Sequence, residues 1–297
     1  MNKEYKKRIN TAIDYISNNF SNNLTLEEIA GEAHFSKFHF HRIFKAVTKE
    51  TVSGHIRRIR LEQSANRLLS DSGETITTIA MDCGFASSQN FATAFKKHFK
   101  VSPREFRESY SLDKWTALGN ERKISDHLVF DTTKNDSKTN LWINLIDMPP
   151  YHVAYERLTG PYELRAYDTV FENLVNWAYK KCDISAAIML GVIWDNPEVT
   201  VPDQCRYDVC ITVPEKIIPD DGIGVQKIKG GNYVVGHCEV SHYAELEKTY
   251  EDIFSSWFPS SNYIPADSAS YEIYLNNPEN HPRKNMLIDI CIPLEKI

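Results

Sequence analysis

The chain has 297 residues, 42% of them hydrophobic, which is enough for two or three domains with cores of their own, and its formal net charge is −6. Its six cysteines include no CxxC pair and read as reduced core thiols, and no apolar run approaches the ~18 residues of a membrane span, so a disulfide framework and a membrane partner are excluded. The acidic average hides an asymmetry: residues 1–110 hold 17 basic and 12 acidic side chains, 111–140 hold 5 and 5, and 141–297 hold 12 and 23. A polyanion would therefore approach the N-terminal part alone.

Met1-Asn2-Lys3-Glu4 leads straight into an amphipathic helix without a leader pattern, so a cytoplasmic location is expected. A unit of about 50 residues then occurs twice. The first copy reads Leu26-Glu27-Glu28-Ile29-Ala30, Ala33-His34-Phe35-Ser36, then Phe40, Ile43 and Phe44. The second reads Ile76-Thr77-Thr78-Ile79-Ala80, Cys83-Gly84-Phe85-Ala86, then Phe91, Ala94 and Phe95. The apolar positions recur at helical spacing on both sides of a three-residue turn, which predicts two helix-turn-helix units, over 24–50 and 74–100. Gly84 supplies a left-handed backbone position at the turn, and Ser87 or Ser88 caps the helix that follows.

The polar residues left on the second helix of each unit carry the chemistry. In the first they are Lys37, Phe38, His39, His41, Arg42 and Lys45; in the second, Ser88, Gln89, Asn90, Thr93, Lys96 and Lys97. Arg, His, Gln and Asn suit base edges and Phe38 suits a thymine methyl, whereas Lys45, Lys96 and Lys97 lie farther along, where phosphate is the partner. A single such helix would as readily be a solvated face. Two at fixed separation fit double-stranded DNA read at two positions about one turn, ~34 Å, apart. Between them an apolar stripe from Ile56 to Leu69 predicts a linker helix over 52–70, a stiff spacer of ~27 Å. Arg57, Arg58 and Arg60 on it serve either phosphates or packing.

These residues resemble the DNA-binding domain of the AraC/XylS family of bacterial transcription factors. The resemblance covers residues 5–108 and rests on the Leu26-to-Thr48 unit, Ile59-Arg60-Leu61, Ile79-Ala80 with Gly84-Phe85, Phe91 to Phe95, and Ser102-Pro103-Arg104-Glu105-Phe106-Arg107. It implies base contacts at Phe38, His41, Arg42, Ser88, Gln89 and Thr93, promoter DNA as the target and RNA polymerase as a protein partner. Thr93 stands where members often carry a long polar side chain, so the second helix is expected to add affinity more than sequence choice.

Residues 111–140 lack periodicity and end in a polar stretch, a linker by composition with a short strand possible near 127–130. From 141 to 297 a second duplication appears at a spacing of 81 residues: Val153 with Val234, Tyr162 with Tyr243, Asn196-Pro197 with Asn277-Pro278, Asp208 with Asp289 and Cys210 with Cys291. Each copy reads strand, helix ending near a Trp (Trp177; Trp257), then two strands. The expected fold is therefore an all-α DNA-binding domain (1–110), a linker (111–140) and an α+β domain of two βαββ repeats around a pseudo-two-fold pocket (141–297).

The copies disagree most tellingly at one position, where Gly191 is matched by Glu272. As a strand residue Glu272 faces either solvent or the groove; its central place favours the groove, on the same strand face as Tyr274. Trp177, Trp194, Tyr207, Tyr250 and Trp257 are candidate aromatic walls, and such a site would attract lipophilic cations. Residues 145–295 resemble the GyrI-like family of effector-binding domains, through Val153-Ala154-Tyr155, Gly160-Pro161-Tyr162, Trp257-Phe258-Pro259, Tyr271-Glu272-Ile273-Tyr274 and Asp289-Ile290-Cys291-Ile292-Pro293-Leu294. The resemblance implies that Glu272 binds cationic drugs, so the expected function is a transcriptional regulator that answers to a small-molecule effector. The alternative is a GyrI-like hydrolase or ligand-sequestering module fused to a DNA-binding domain, with Glu272 as base and Tyr274 or Tyr250 as acid. His237-Cys238-Glu239 with His242 read as a packed strand edge rather than a metal site; no metal, cofactor or catalytic group is expected.

Overall fold

The computed structural model describes residues 3–69, 73–108, 141–162, 167–197, 199–266 and 268–296. The expected linker at 111–140, with its strand near 127–130, lies outside the described residues. The chain divides into two compact units within the undescribed stretch, and no described helix is long and apolar enough to cross a membrane.

The first unit is helical: α1 (Lys3–Asn19), α2 (Leu26–Glu32), α3 (Lys37–Thr48), α4 (Val52–Leu69), α5 (Ile76–Asp82), α6 (Ser88–Phe99) and α7 (residues 103–108). Each helix-turn-helix starts at a threonine cap. Thr25 forms a full capping box with Glu28, and the Thr75 side chain accepts from the Thr78 backbone N–H. Ser87, rather than Ser88, caps α6, its side chain accepting from Asn90 N–H. Gly84 turns the chain at φ +79°, and His34 makes the equivalent turn at φ +54° without a glycine. Phe40 and Phe44 bury against Ile9, Ile16 and Ile29, which gives the first α2–α3 pair a core shared with α1. Phe91 and Phe95, both fully buried, do the same for α6, and Phe95 meets Phe106 of α7 edge to face.

The second unit is one antiparallel sheet. Its strands are β1 (Trp142–Met148), β2 (Tyr151–Thr159), β3 (Met189–Ile193), β4 (Arg206–Thr212), β5 (Gly224–Ile228), β6 (Gly231–Val240), β7 (Tyr263–Pro265), β8 (Ser270–Tyr274) and β9 (Met286–Lys296). They run in the order β1-β6-β9-β8-β3-β4-β2-β5, with β7 paired to the far end of β9. Two helices, α8 (Asp168–Tyr179) and α9 (Tyr243–Asp252), bury their apolar stripes on one face of the sheet. Leu174, Trp177 and Ala178 of α8 pack on Ala154, Val209 and Ile211; Leu246 of α9, with Ile253 and Trp257 of the π-helical turn after it, packs on Val234, Ile288 and Ile290. The central pair is β3 against β8, and it sets Gly191 directly opposite Glu272.

One expected alignment is corrected. Val153 pairs with Thr212 and Tyr233 pairs with Pro293, so the counterpart of Val153 is Tyr233, 80 residues on, and not Val234. A slip of one residue reverses which face each side chain occupies, and Val153 and Tyr233 indeed share a cluster on the face away from the helices. Strands β1, β5 and β7 lie outside the expected repeat.

Candidate functional site

In the helical unit α3 and α6 are amphipathic by construction. Burying Phe40 and Phe44 on one side of α3 leaves Lys37, His39, His41, Arg42 and Lys45 exposed on the other. The Phe38 side chain lies outside the described set. Lys37 forms an exposed ion pair with Glu27 of α2, which steadies it beside the helix start. On α6 Gln89, Asn90, Thr93, Lys96 and Lys97 are exposed and Ser88 is half-buried. The Thr93 hydroxyl donates to Gln89 O at 3.0 Å, so its one proton stays within the helix and its methyl and lone pairs face outward.

Charge ties the linker helix α4 to the end of α3. Arg58, buried, reaches Glu50 at 2.8 Å and Glu62 at 2.9 Å, and His55 Nδ1 lies 2.7 Å from Glu50. Burial pushes the Glu50 carboxyl up, but hydrogen bonds and charge from His55 and Arg58 outweigh it and bring the pKa down to about 2. Of the arginines left open between phosphate and packing, Arg58 and Arg60 are engaged within the protein and Arg57 is exposed.

In the sheet unit one carboxylate stands apart. Glu272, only 4% exposed, accepts hydrogen bonds from Tyr274 Oη (2.9 Å) and Tyr207 Oη (3.0 Å) on Oε2, and from Tyr250 Oη (3.1 Å) on Oε1. Strand alternation explains Tyr274, two residues along β8; Tyr207 comes from β4, and Tyr250 from α9. No described cation pairs with Glu272. Burial pushes its carboxyl up, and hydrogen bonds from Tyr274, Tyr207 and Tyr250 offset only part of that rise. Burial, and after it the charge of Glu272, holds all three phenols well above their usual pKa, so each remains a donor.

Gly191 makes this cluster possible. A Cβ there would stand 1.6 Å from Tyr207 Oη, so only glycine leaves room for the phenol to cross β3 and reach Glu272. The Tyr207 ring is stacked on Tyr167 (4.4 Å between centroids, 6° between planes), and Phe171 of α8 meets Tyr274 edge to face at 5.2 Å. Sequence reasoning singled out Gly191 only as the mismatch to Glu272, and it missed Tyr167 and Phe171; their i, i+4 spacing along one helix face was the available signal.

Of the three tryptophans named as aromatic walls, Trp177 shares a core cluster with Tyr207 and Tyr167, and Trp257 shares one with Tyr250 and Tyr274, but none has a described hydrogen bond to Glu272. Trp194 Nε1 donates to Asp208 Oδ2 at 2.7 Å, and Asp208, one residue from Tyr207, points to the opposite face of the sheet. Trp177 donates to Asp220 Oδ1, and Trp257 stacks on Tyr263. A buried indole N–H seeks a fixed acceptor, and those of Trp177 and Trp194 take Asp220 and Asp208 rather than Glu272. His237 likewise pairs with Asp289 at 2.6 Å.

A helical unit with two exposed polar helices on helix-turn-helix frames, joined in one chain to a strand-rich unit with a buried acid, defines a DNA-binding regulator with a small-molecule-binding domain. The family described as "GyrI-like small molecule binding domain" matches residues 142–295 and the "Helix-turn-helix domain" family matches 29–109. The chain belongs to the GyrI-like family, and its N-terminal part belongs to the AraC-type helix-turn-helix regulators. It is 31% identical over 140 residues to a DNA gyrase inhibitor of Yersinia enterocolitica, an alignment covering 45% of this chain and 85% of that one. It is 32% identical over 99 residues to the multiple antibiotic resistance protein MarA of Salmonella typhimurium, covering 33% of this chain and 77% of MarA. With the transcriptional activator RhaS of Klebsiella pneumoniae it shares 35% identity over 101 residues, 34% of this chain and only 36% of RhaS.

Proposed function

We propose that this protein recognises promoter DNA through α3 and α6 and takes a cationic aromatic effector at Glu272. The observation that carries the second half is a fully enclosed carboxylate whose described partners are all neutral hydroxyls. Burial strips such a group of water and disfavours its charged form, and a ligand that brings a positive charge and a flat ring favours that form again. Tyr250 and Tyr274, both only half-buried, are the side chains that would turn aside to admit it. The palindromic strand order and the direct pairing of Gly191 with Glu272 support a pseudo-two-fold pocket between α8 and α9.

On this reading residues 1–110 form the DNA-binding domain, 111–140 the linker and 141–297 the effector domain of a cytoplasmic regulator that works with RNA polymerase. His41, Arg42, Gln89 and Asn90 touch base edges; Lys45, Lys96 and Lys97 touch phosphate. Binding of the effector shifts a pre-existing balance between DNA-bound arrangements, by no more than its difference in affinity for them. The chain is a binder rather than an enzyme. A GyrI-like hydrolase is the second reading, favoured by the phenols of Tyr250 and Tyr274 within hydrogen-bonding distance of Glu272.

Two variants test the proposal on the full-length protein. Arg42→Ala is expected to lower affinity for DNA selected from a randomised pool by ~1–3 kcal/mol while sparing random DNA, and equal loss on both would remove Arg42 from base reading. Glu272→Ala is expected to weaken N-methylacridinium by ~1.5–3 kcal/mol and leave its uncharged isostere 9-methylanthracene nearly unchanged. Uniform loss across the pair contradicts a cation site, and turnover of an electrophilic substrate that vanishes in Glu272→Gln would favour the hydrolase.

A further inference from the structure

Helix α4 carries four arginines, and three of them are engaged inside the protein. Arg58 bridges Glu50 and Glu62, and Arg67 bridges Glu74 and Asp82. Arg60 is held differently: Nε donates to Phe20 O at 2.7 Å and Nη2 donates to Asn22 O at 2.8 Å, both in the loop between α1 and α2. The same guanidinium also lies against the turn of the second helix-turn-helix. A Cβ on Gly84 would stand 2.6 Å from Ser21 O and 3.0 Å from Nε and Cζ of Arg60. A loop near the N-terminus, the linker helix and the turn that launches α6 therefore meet at one point.

We propose that Arg60 is a positioning residue that fixes the separation of α3 and α6, and with it the number of base pairs accepted between the two half-sites. The proposal rests on the two-reader reading above. A stiff helix sets the distance between its own ends, and Arg67 ties its last turn to Glu74 and Asp82, but neither joins the second helix-turn-helix to the loop before α2. A planar guanidinium donating two bonds into a loop that abuts Gly84 makes that connection. Lysine, with a single point charge, cannot hold both carbonyls in the same plane.

The test uses full-length protein, a DNA site selected from a randomised pool, and the same site with one base pair added between its halves. The altered spacing is expected to cost the natural protein about tenfold or more in affinity, since the half-sites rotate out of register. In Arg60→Ala that penalty should shrink to about threefold or less, while the slope of log affinity against log salt stays unchanged, because no phosphate contact is lost. One glycine inserted between Asn22 and Asn23 displaces the acceptor carbonyls and leaves the Arg60 charge in place, and it should relax spacing in the same way. This second variant decides the matter if Arg60→Ala does not fold.

A salt slope that falls by about one unit in Arg60→Ala, with spacing discrimination intact, makes Arg60 a phosphate contact and overturns the proposal. Undiminished spacing discrimination in the glycine-insertion variant overturns it too. Arg42→Ala separates the two levels: if it does not distinguish selected from random DNA, the two-reader reading itself has failed.

Discussion

Buried carboxylates occur in both units of this chain, and their hydrogen bonds are satisfied in two different ways. Glu62 in the helical unit is 3% exposed and lies 2.9 Å from Arg58; in the sheet Asp208, fully buried, takes both Nε and Nη2 of Arg157 at 2.6 Å, and Asp195 takes Arg206 in the same bidentate manner. Glu272 is as deeply hidden, yet three tyrosine hydroxyls are its described partners. An arginine pair closes the electrostatic account of a buried acid, so removing either member leaves a stranded charge. Neutral donors satisfy lone pairs without cancelling charge. Among the described residues the other buried acids are met by arginine, and Glu272, which is not, is the acid that the proposed function leaves to meet a cation from outside.

The largest effect that would break this comparison is on stability. Asp208→Asn is expected to cost ~3–5 kcal/mol in urea unfolding of the full-length protein, because the buried bidentate bonds from Arg157 lose their carboxylate charge. Glu272→Gln, which removes an uncompensated charge and keeps an acceptor for the phenols, should cost less than ~1 kcal/mol or stabilise at pH 7. Similar losses in both would show that Glu272 is as structural as Asp208. The pH sign sets Glu272 apart from the arginine-paired Glu50. Because burial raises the Glu272 carboxyl in the folded state, its contribution is fully present below the unfolded value near 4.5 and is lost as pH rises through the folded value. Any advantage of Glu272→Gln should therefore vanish in acid. Glu50 runs the opposite way: its stabilisation is present above 4.5 and fades as pH falls towards 2.

A smaller effect sharpens the comparison within the cluster. Gly191→Ala should destabilise by ~1–3 kcal/mol through overpacking against Tyr207. Tyr207→Leu removes the hydroxyl and the ring carbon Cζ that the new methyl would strike at 1.6 and 2.2 Å, so the alanine should cost less in that background. Additive losses would place Tyr207 elsewhere.

Much of this was legible in the chain itself. Two copies of one helical pattern locate α2, α3, α5 and α6, because 3.6-residue periodicity and a turn between runs leave few alternatives. Glu272 was found because a near-repeat makes a single acid opposite a glycine conspicuous. Spacing could not show which acceptors the tryptophans take, since a ring at the right distance along a helix or beyond a strand still has to choose a partner for its N–H, and for Trp177 and Trp194 these are Asp220 and Asp208. Nor could alternation fix the first strand of the repeat: Val234 and Tyr233 are both plausible partners for Val153 until the β4 and β9 pairings decide. Strand β1 carries exposed Trp142, Leu145 and Ile146 on an edge, a pattern that does not read as half-buried.

The most direct test of an acid left open for a cation is the pH dependence of N-methylacridinium binding by calorimetry, in buffers of different ionisation enthalpy. The account predicts that affinity rises with pH through the raised Glu272 value, with a proton released on binding, and that Glu272→Gln binds weakly and without this dependence. Affinity that is flat with pH and equal in the two proteins would contradict it.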